Sequence, residues 1–294
     1  MVPELTAEAL RQSCLRYPDF LCVGVQKSAT SWLDANLRRH PKLWLPPMKE
    51  LQYFSELYLP RVKRWSRRQR QTRIGQILQQ YRNTRPPDEQ DPDYLALLGH
   101  IMEGAIGDSW YGRIFAHAPV ESLCGEVTPD YAQMPRRGIA HVVALSPTVR
   151  IMLSLRDPIE RSWSHIRMFA RNRNALELSQ LERIASQREL VLRANYPAMI
   201  ARWRSLVPEE RFHVFFMDEV AAEPAQVLSG VYRFLEVDCT PQMLGRADRP
   251  VHVGEEREIP PTVLNILKKR LEKTYREMAQ LYPETGRRWA GRYY

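Results

Sequence analysis

The chain has 294 residues, 44% of them hydrophobic, which is enough for a sizeable core and too many for a disordered chain. A formal net charge of +9 and a pI near 9.5 favour anionic partners (nucleotides, phosphates, acidic glycans, nucleic acid, anionic lipid) without choosing among them. No run of 18 apolar residues, no signal-peptide pattern and four cysteines without a CxxC pair predict no membrane span and a reducing, cytoplasmic setting.

Residues 5–16 have the pattern of a short helix. Residues 20–25 form a nearly continuous apolar run, as expected of a strand covered on both faces in a parallel sheet. Thr30 to Arg39 reads as a helix stopped by Pro41, and after two prolines a helical pattern resumes at Met48. Residues 61–85 carry nine Lys or Arg and no Asp or Glu, which makes this segment either a solvated helical face or an anion-binding surface. RPPDEQDPD marks a loop, residues 94–103 and 108–116 read as aromatic-rich helices, Ser122 to Val127 as a strand, and Arg137 to Leu145 as a helix.

Val149 to Leu155 (VRIMLSL) is the second clear buried strand, and Pro158 opens a helix that runs to about Arg171. Helices fill 175–206, Arg211 to Met217 is a strand, a helix spans 224–235, Arg246 to Glu258 is a charged loop, and Pro261 to Leu281 is a long helix. Strands alternating with helices predict an α/β fold, a central mostly parallel sheet with helices on both faces, in a single domain over residues 1–294.

The turn after the first strand reads GVQKSATS, Gly24 to Ser31. A strand, a tight turn and a helix N-terminus make an anion cradle, because free N–H groups and the helix dipole converge there. Thr30 and Ser31 add hydroxyls and Lys27 a full charge; the bland alternative for Lys27 is a solvated surface lysine. The nucleotide-triphosphatase motif GxxxxGK[ST] is not met, since the second glycine is absent and Lys27 comes at the third position after Gly24. Downstream, Arg156 ends a buried strand, where ligands sit in open α/β sheets, and its planar fork suits a phosphate. Ser164, eight residues on, shares that phosphate if the helix runs back past it. Asp157 reads as a helix cap, and Arg161 and His165 as surface residues.

VGVQKSATSWLDANLRRHP resembles the 5′-phosphosulfate-binding loop of sulfotransferases that use 3′-phosphoadenosine 5′-phosphosulfate (PAPS), and SLRDPIERSWSH resembles their 3′-phosphate segment. KELQYF and GEVTPDY resemble segments of the heparan-sulfate, glycan-type members, so the likeness spans roughly Phe20 to Ala170 and fades in the C-terminal third. Two positions depart from the pattern: Ala29 stands where the family usually has Gly, and Val127 where glycan sulfotransferases often have Lys.

The resemblance implies a P-loop-NTPase-like sulfotransferase fold and PAPS as cofactor, with no metal. It places Lys27, Ser28, Ala29, Thr30, Ser31 and Trp32 around the 5′ end, and Arg156 and Ser164 around the 3′-phosphate. Arg249, His252, Gly254 and Arg257 fall in a loop that resembles the one closing over the nucleotide. In-line transfer to a hydroxyl or amine then uses Lys27 to stabilise the leaving phosphate and Glu50 as general base; the plain alternative for Glu50 is a first-turn helix glutamate. Lys49, Glu126, Asp130 and Tyr131 are candidates for the acceptor site, with a solvent charge the alternative for the first and capping and packing for the others. The acceptor could be a glycan, a lipid head group, a natural product or a peptide tyrosine. A nucleotide-dependent kinase with a variant P-loop is the alternative enzyme; a nucleic-acid binder ranks below it, since no recognisable nucleic-acid module is present.

Overall fold

The computed structural model describes residues 15–103, 106–171, 177–249, 251 and 257–294, so the helix expected at 5–16 lies almost wholly outside the described residues. Five strands, β1 (Phe20–Gly24), β2 (Leu43–Trp44), β3 (Leu123–Val127), β4 (Arg150–Leu155) and β5 (Phe212–Phe216), form one parallel sheet in the order β2-β3-β1-β4-β5. The chain leaves β1 towards β2 and β3 and then crosses to β4 on the other side. Such a reversal opens a crevice at the carboxyl ends of the strands.

Helices before β4 are α1 (Thr30–Leu37), α2 (Tyr53–Tyr58), α3 (Pro60–Thr84), α4 (Pro92–Met102), α5 (Asp108–Phe115) and α6 (Arg136–Leu145). After it come α7 (Pro158–Arg171), α8 (Leu178–Ala185), α9 (Arg188–Leu192), α10 (Tyr196–Arg204), α11 (Met217–Ala222), α12 (Pro224–Phe234), α13 (Pro241–Leu244), α14 (Pro261–Leu281) and α15 (Pro283–Tyr293). Alternation along β1 explains its unbroken apolar run. Phe20 and Cys22 enter one core with Leu33 and Leu37 of α1 and Leu228 and Val231 of α12. Leu21 and Val23 enter the other with Tyr111, Ile139, Ile159 and Leu271. Both faces are covered, so the strand has no polar side. Cys22 and Cys124 are buried free thiols.

Three sequence expectations change. The span 175–206 divides into α8, α9 and α10, and α15 and the two-residue β2 come without advance notice. The helical pattern from Met48 is delayed: α2 starts at Tyr53, because Glu50 and Gln52 both adopt left-handed backbone, at φ 65° and 62°. Glu50 therefore sits on a loop ahead of the helix, not in a first helical turn.

The basic segment is one helix, α3, which turns Val62, Ser66, Arg70 and Ile74 inward at four-residue spacing while Lys63, Arg67 and Arg68 stay exposed. Arg70 is 1% exposed; its Nη1 donates to Glu56 Oε1 (2.5 Å) and to the Leu51 carbonyl (3.2 Å), and its guanidinium lies 4.9 Å from the Trp110 ring centre. Removing one partner of a buried pair strands the other charge. Arg70→Ala is expected to lower stability by about 3–5 kcal/mol in chemical denaturation, and the Arg70→Ala/Glu56→Ala double variant to lose less than Arg70→Ala alone. No helix among the described residues is long and apolar enough to cross a membrane.

Candidate active site

The turn after β1 is built on Gly24, at φ 145°, where a Cβ would come within 2.5 Å of the Pro129 carbonyl oxygen. Two serines fasten the turn to the neighbouring strand. The buried Ser28 hydroxyl shares its one hydrogen between the carbonyls of Val25 (2.6 Å) and Ser154 (2.7 Å), and the Ser154 hydroxyl donates back to the Ser28 carbonyl. Lys27 and Ala29 are left-handed, at φ 75° and 59°, on either side of Ser28, an alternation that makes anion-binding backbone concavities. Ala29 is the N-cap of α1 and makes no side-chain cap, so the first-turn N–H groups require a partner from outside the helix. A left-handed alanine costs about 1–2 kcal/mol that glycine would not, so the Cβ at this position is tolerated under strain.

Lys49 reaches this helix start. Its Nζ lies 3.2 Å from Thr30 Oγ1 and 3.0 Å from Ser31 Oγ, and 3.8 Å from Glu50 Oε1. The lysine therefore spans the anion turn and the loop of Glu50 instead of standing in solvent.

The Glu50 loop rests on buried side chains. The Leu51 N–H donates to Glu126, the Leu51 carbonyl accepts from Arg70, and Gln52 Nε2 donates to Asp130 Oδ2 at 3.0 Å. Glu126, 2% exposed, also accepts from the hydroxyls of Tyr111 (2.6 Å), Tyr131 (2.8 Å) and Thr128 (2.7 Å). Tyr131, fully buried, accepts the Phe54 N–H at 3.3 Å through the same oxygen that donates to Glu126. Glu126 and Tyr131 thus stand behind the loop. Asp130 is buried between Gln52 and Arg193, whose Nη1 donates to Asp130 Oδ1 at 2.8 Å. Burial pushes the Glu50 carboxyl above its ordinary range; Lys49 opposes the rise, Asp130 adds to it, and Arg73 and the Gln52 amide oppose it.

On the Lys27 side, Arg161 and His165 are buried, not surface residues as their sequence context suggests. Arg161 Nε donates to the Gln26 carbonyl at 3.2 Å, next to Lys27 in the chain. Burial, then the neighbouring charges of Arg161, Arg193 and Lys27, push the His165 pKa down to about 2, which keeps its imidazole neutral.

Arg156 follows the end of β4, beside the end of β1, and donates through Nε (3.2 Å) and Nη2 (3.1 Å) to Glu160 Oε2. Arg292 from α15 donates to the other oxygen of Glu160 at 3.1 Å. Asp157 caps α7 as expected, accepting from the N–H groups of Ile159 (2.9 Å) and Glu160 (3.1 Å). Ser164 is half-buried on α7. Two indoles hold the charged C-terminal loop at its ends: Trp32 of α1 donates to the Ala247 carbonyl (2.7 Å) and Trp163 of α7 to the Arg257 carbonyl (2.8 Å). Arg249 is exposed between these anchors, and His252 and Gly254 lie outside the described residues.

Gln52 and Arg193 are residues beside the candidate site that sequence reasoning passed over, and Arg161 and His165 are ones it read as surface residues. Gln52 lay inside KELQYF and carried some signal; Arg193 carried none, since it reaches Asp130 from 63 residues away.

The chain is similar to known proteins. The chain is 26% identical over 150 residues to the membrane-associated sulfotransferase kil1 of Dictyostelium discoideum, covering 50% of this chain but 22% of that protein, so it matches about a fifth of that relative's length. It superposes on a sulfotransferase from Alicyclobacillus acidocaldarius with a TM-score of 0.63 at 22% identity, covering 91% of this chain and 96% of that one. The mouse sulfotransferase SULT7A1, solved with PAP, gives a TM-score of 0.53 at 14% identity, covering 99% and 94%. The fold is thus the P-loop-like α/β fold of these structures, and a family model described as "Sulfotransferase family" matches residues 18–241: the chain belongs to the sulfotransferase family.

Proposed function

We propose that residues 1–294 act as one PAPS-dependent sulfotransferase domain that transfers a sulfuryl group to an acceptor hydroxyl, or an amine. The observation that carries this reading is the pairing of two cationic strand ends: the Lys27 turn after β1 and Arg156 after the adjacent β4. The residues fit a doubly phosphorylated nucleotide. The uncapped start of α1, with Thr30, Ser31 and Lys49 beside it, suits the 5′ phosphate, and Arg156 with Ser164 suits the 3′ phosphate. A kinase reading is not favoured, because the family match is to sulfotransferases.

When bound, PAPS supplies an activated sulfuryl group. Lys27 donates a hydrogen bond to the oxygen on which negative charge grows, and Glu50 takes the proton of the acceptor hydroxyl. The Trp32 and Trp163 anchors support placing Arg249 and Arg257 beside the nucleotide. A glycan, lipid head group, natural product or peptide tyrosine would each provide a hydroxyl. An acidic group on the acceptor would meet Arg73, half-buried near Glu50, and the exposed cations of α3.

Adenosine 3′,5′-bisphosphate is expected to raise the melting temperature more than ATP does at equal concentration, by the equivalent of about 2.7 kcal/mol at a hundred times its Kd. Arg156→Ala should weaken that binding about 10- to 100-fold, the worth of one charge-assisted contact. Equal stabilisation by ATP would overturn the reading.

A further inference from the structure

We propose that the buried Asp130–Arg193 pair is a positioning device for the reaction: it fixes Gln52 and, through Gln52, the left-handed loop that presents Glu50. The proposal rests on reading Glu50 as the general base.

The need for such a device lies in the backbone. Glu50 and Gln52 are both left-handed without being glycine, a conformation that persists when the surroundings impose it. Arg70 and Glu126 grip the carbonyl and N–H of Leu51 and so hold the main chain of the loop. Asp130 acts differently, because it holds a side chain. Gln52 Nε2 donates to Asp130 Oδ2 at 3.0 Å, which ties down the residue two places after Glu50 in the same loop.

Asp130 is 3% exposed. Its charge needs a counter-ion inside the protein, and Arg193 supplies it at 2.8 Å. Arg193 is itself oriented: its Nε donates to Glu189 Oε1 at 3.1 Å, and Arg61 of α3 pairs with Glu189 Oε2 at 2.5 Å. The relay runs from the surface of α3 through α9 to the loop of Glu50. Among the described residues, the charges that act most on Glu50 are Lys49 from its own loop, Asp130 from the turn after β3 and Arg73 from α3. Of these, Asp130 is the one anion.

The pair therefore predicts shifts of opposite sign. Asp130→Asn retains an oxygen for Gln52 and removes the like charge, so Glu50 should ionise at lower pH. Arg193→Met leaves Asp130 uncompensated, so Glu50 should ionise at higher pH. Each midpoint should move by about one unit. The measurement is a 13C NMR titration of protein labelled at glutamate side-chain carboxyls, with Glu50 assigned as the resonance missing from Glu50→Gln. It needs no acceptor substrate. A loss of packing alone would not produce shifts of opposite sign.

If Arg193→Met does not fold, Asp130→Asn/Arg193→Met removes both charges and should titrate below the wild type. Arg193→Lys should return the midpoint part of the way. Midpoints that stay in place, or that move in the same direction in both single variants, overturn the proposal. Undiminished turnover in Glu50→Gln would instead remove the reading of Glu50 as base, and would leave the titration result standing.

Discussion

Lys27→Ala is expected to lower kcat for sulfuryl transfer about 10²- to 10³-fold, the usual effect of removing one donor aimed at a developing oxyanion. The loss should appear in kcat more than in affinity for adenosine 3′,5′-bisphosphate, since the contact strengthens as charge builds on the leaving oxygen. The fold should survive. The turn is held by Gly24, by the paired serines Ser28 and Ser154, and by the Val25 N–H, which donates to the Ser154 carbonyl at 2.7 Å; none of these depends on the lysine side chain. Lys27→Arg keeps the charge but replaces a compact ammonium with a planar fork, so partial activity is expected. Single-turnover transfer of radiolabelled sulfate, with a melting curve as control, checks both variants. Wild-type turnover in Lys27→Ala would remove the central catalytic assignment.

How far the sequence could be read depended on whether each signal was local. β1 and β4 stood out because both faces of each are covered, which leaves an unbroken apolar run of residues, and the turns after them inherit their position. Asp157 was recognisable as a cap because capping is decided within three residues. Glu50 was harder. Its propensity pattern continued into a helix, and the contacts that keep residues 50–52 out of helical geometry come from Arg70, Glu126 and Asp130, between 19 and 78 positions away. The same limit hid the inward turn of Arg70 among eight exposed-looking cations, and the burial of Arg161, whose sequence neighbours give no sign of the Gln26 carbonyl it meets. The short β2 and the C-terminal α15 failed for another reason: two residues are too few to show a period, and the mixed PETGRRWAGRY has an apolar face only where Trp289 enters the core.

Glu50→Gln separates a catalytic carboxylate from a structural one. Turnover should fall about 10²- to 10⁴-fold, the usual contribution of a positioned general base. In the wild type, kcat/KM should decline on the acid side with a midpoint above the ordinary carboxylate range, because burial raises the Glu50 pKa and the base must be ionised to act. That limb should be absent from the residual activity of Glu50→Gln. Stability should move the other way. A carboxyl whose pKa is raised by folding contributes stability that is present below its unfolded pKa and lost as pH rises through the folded value. At neutral pH the ionised Glu50 therefore weighs against the fold, and Glu50→Gln should be at least as stable as the wild type in chemical denaturation there. The gap should close as pH falls below the unfolded carboxylate pKa, about 4.3. An inactive variant that keeps or gains stability is what a proton acceptor held in a poorly solvated loop requires. One that loses activity and stability together would mean that Glu50 serves to hold the loop, and the proton would have to leave by another group.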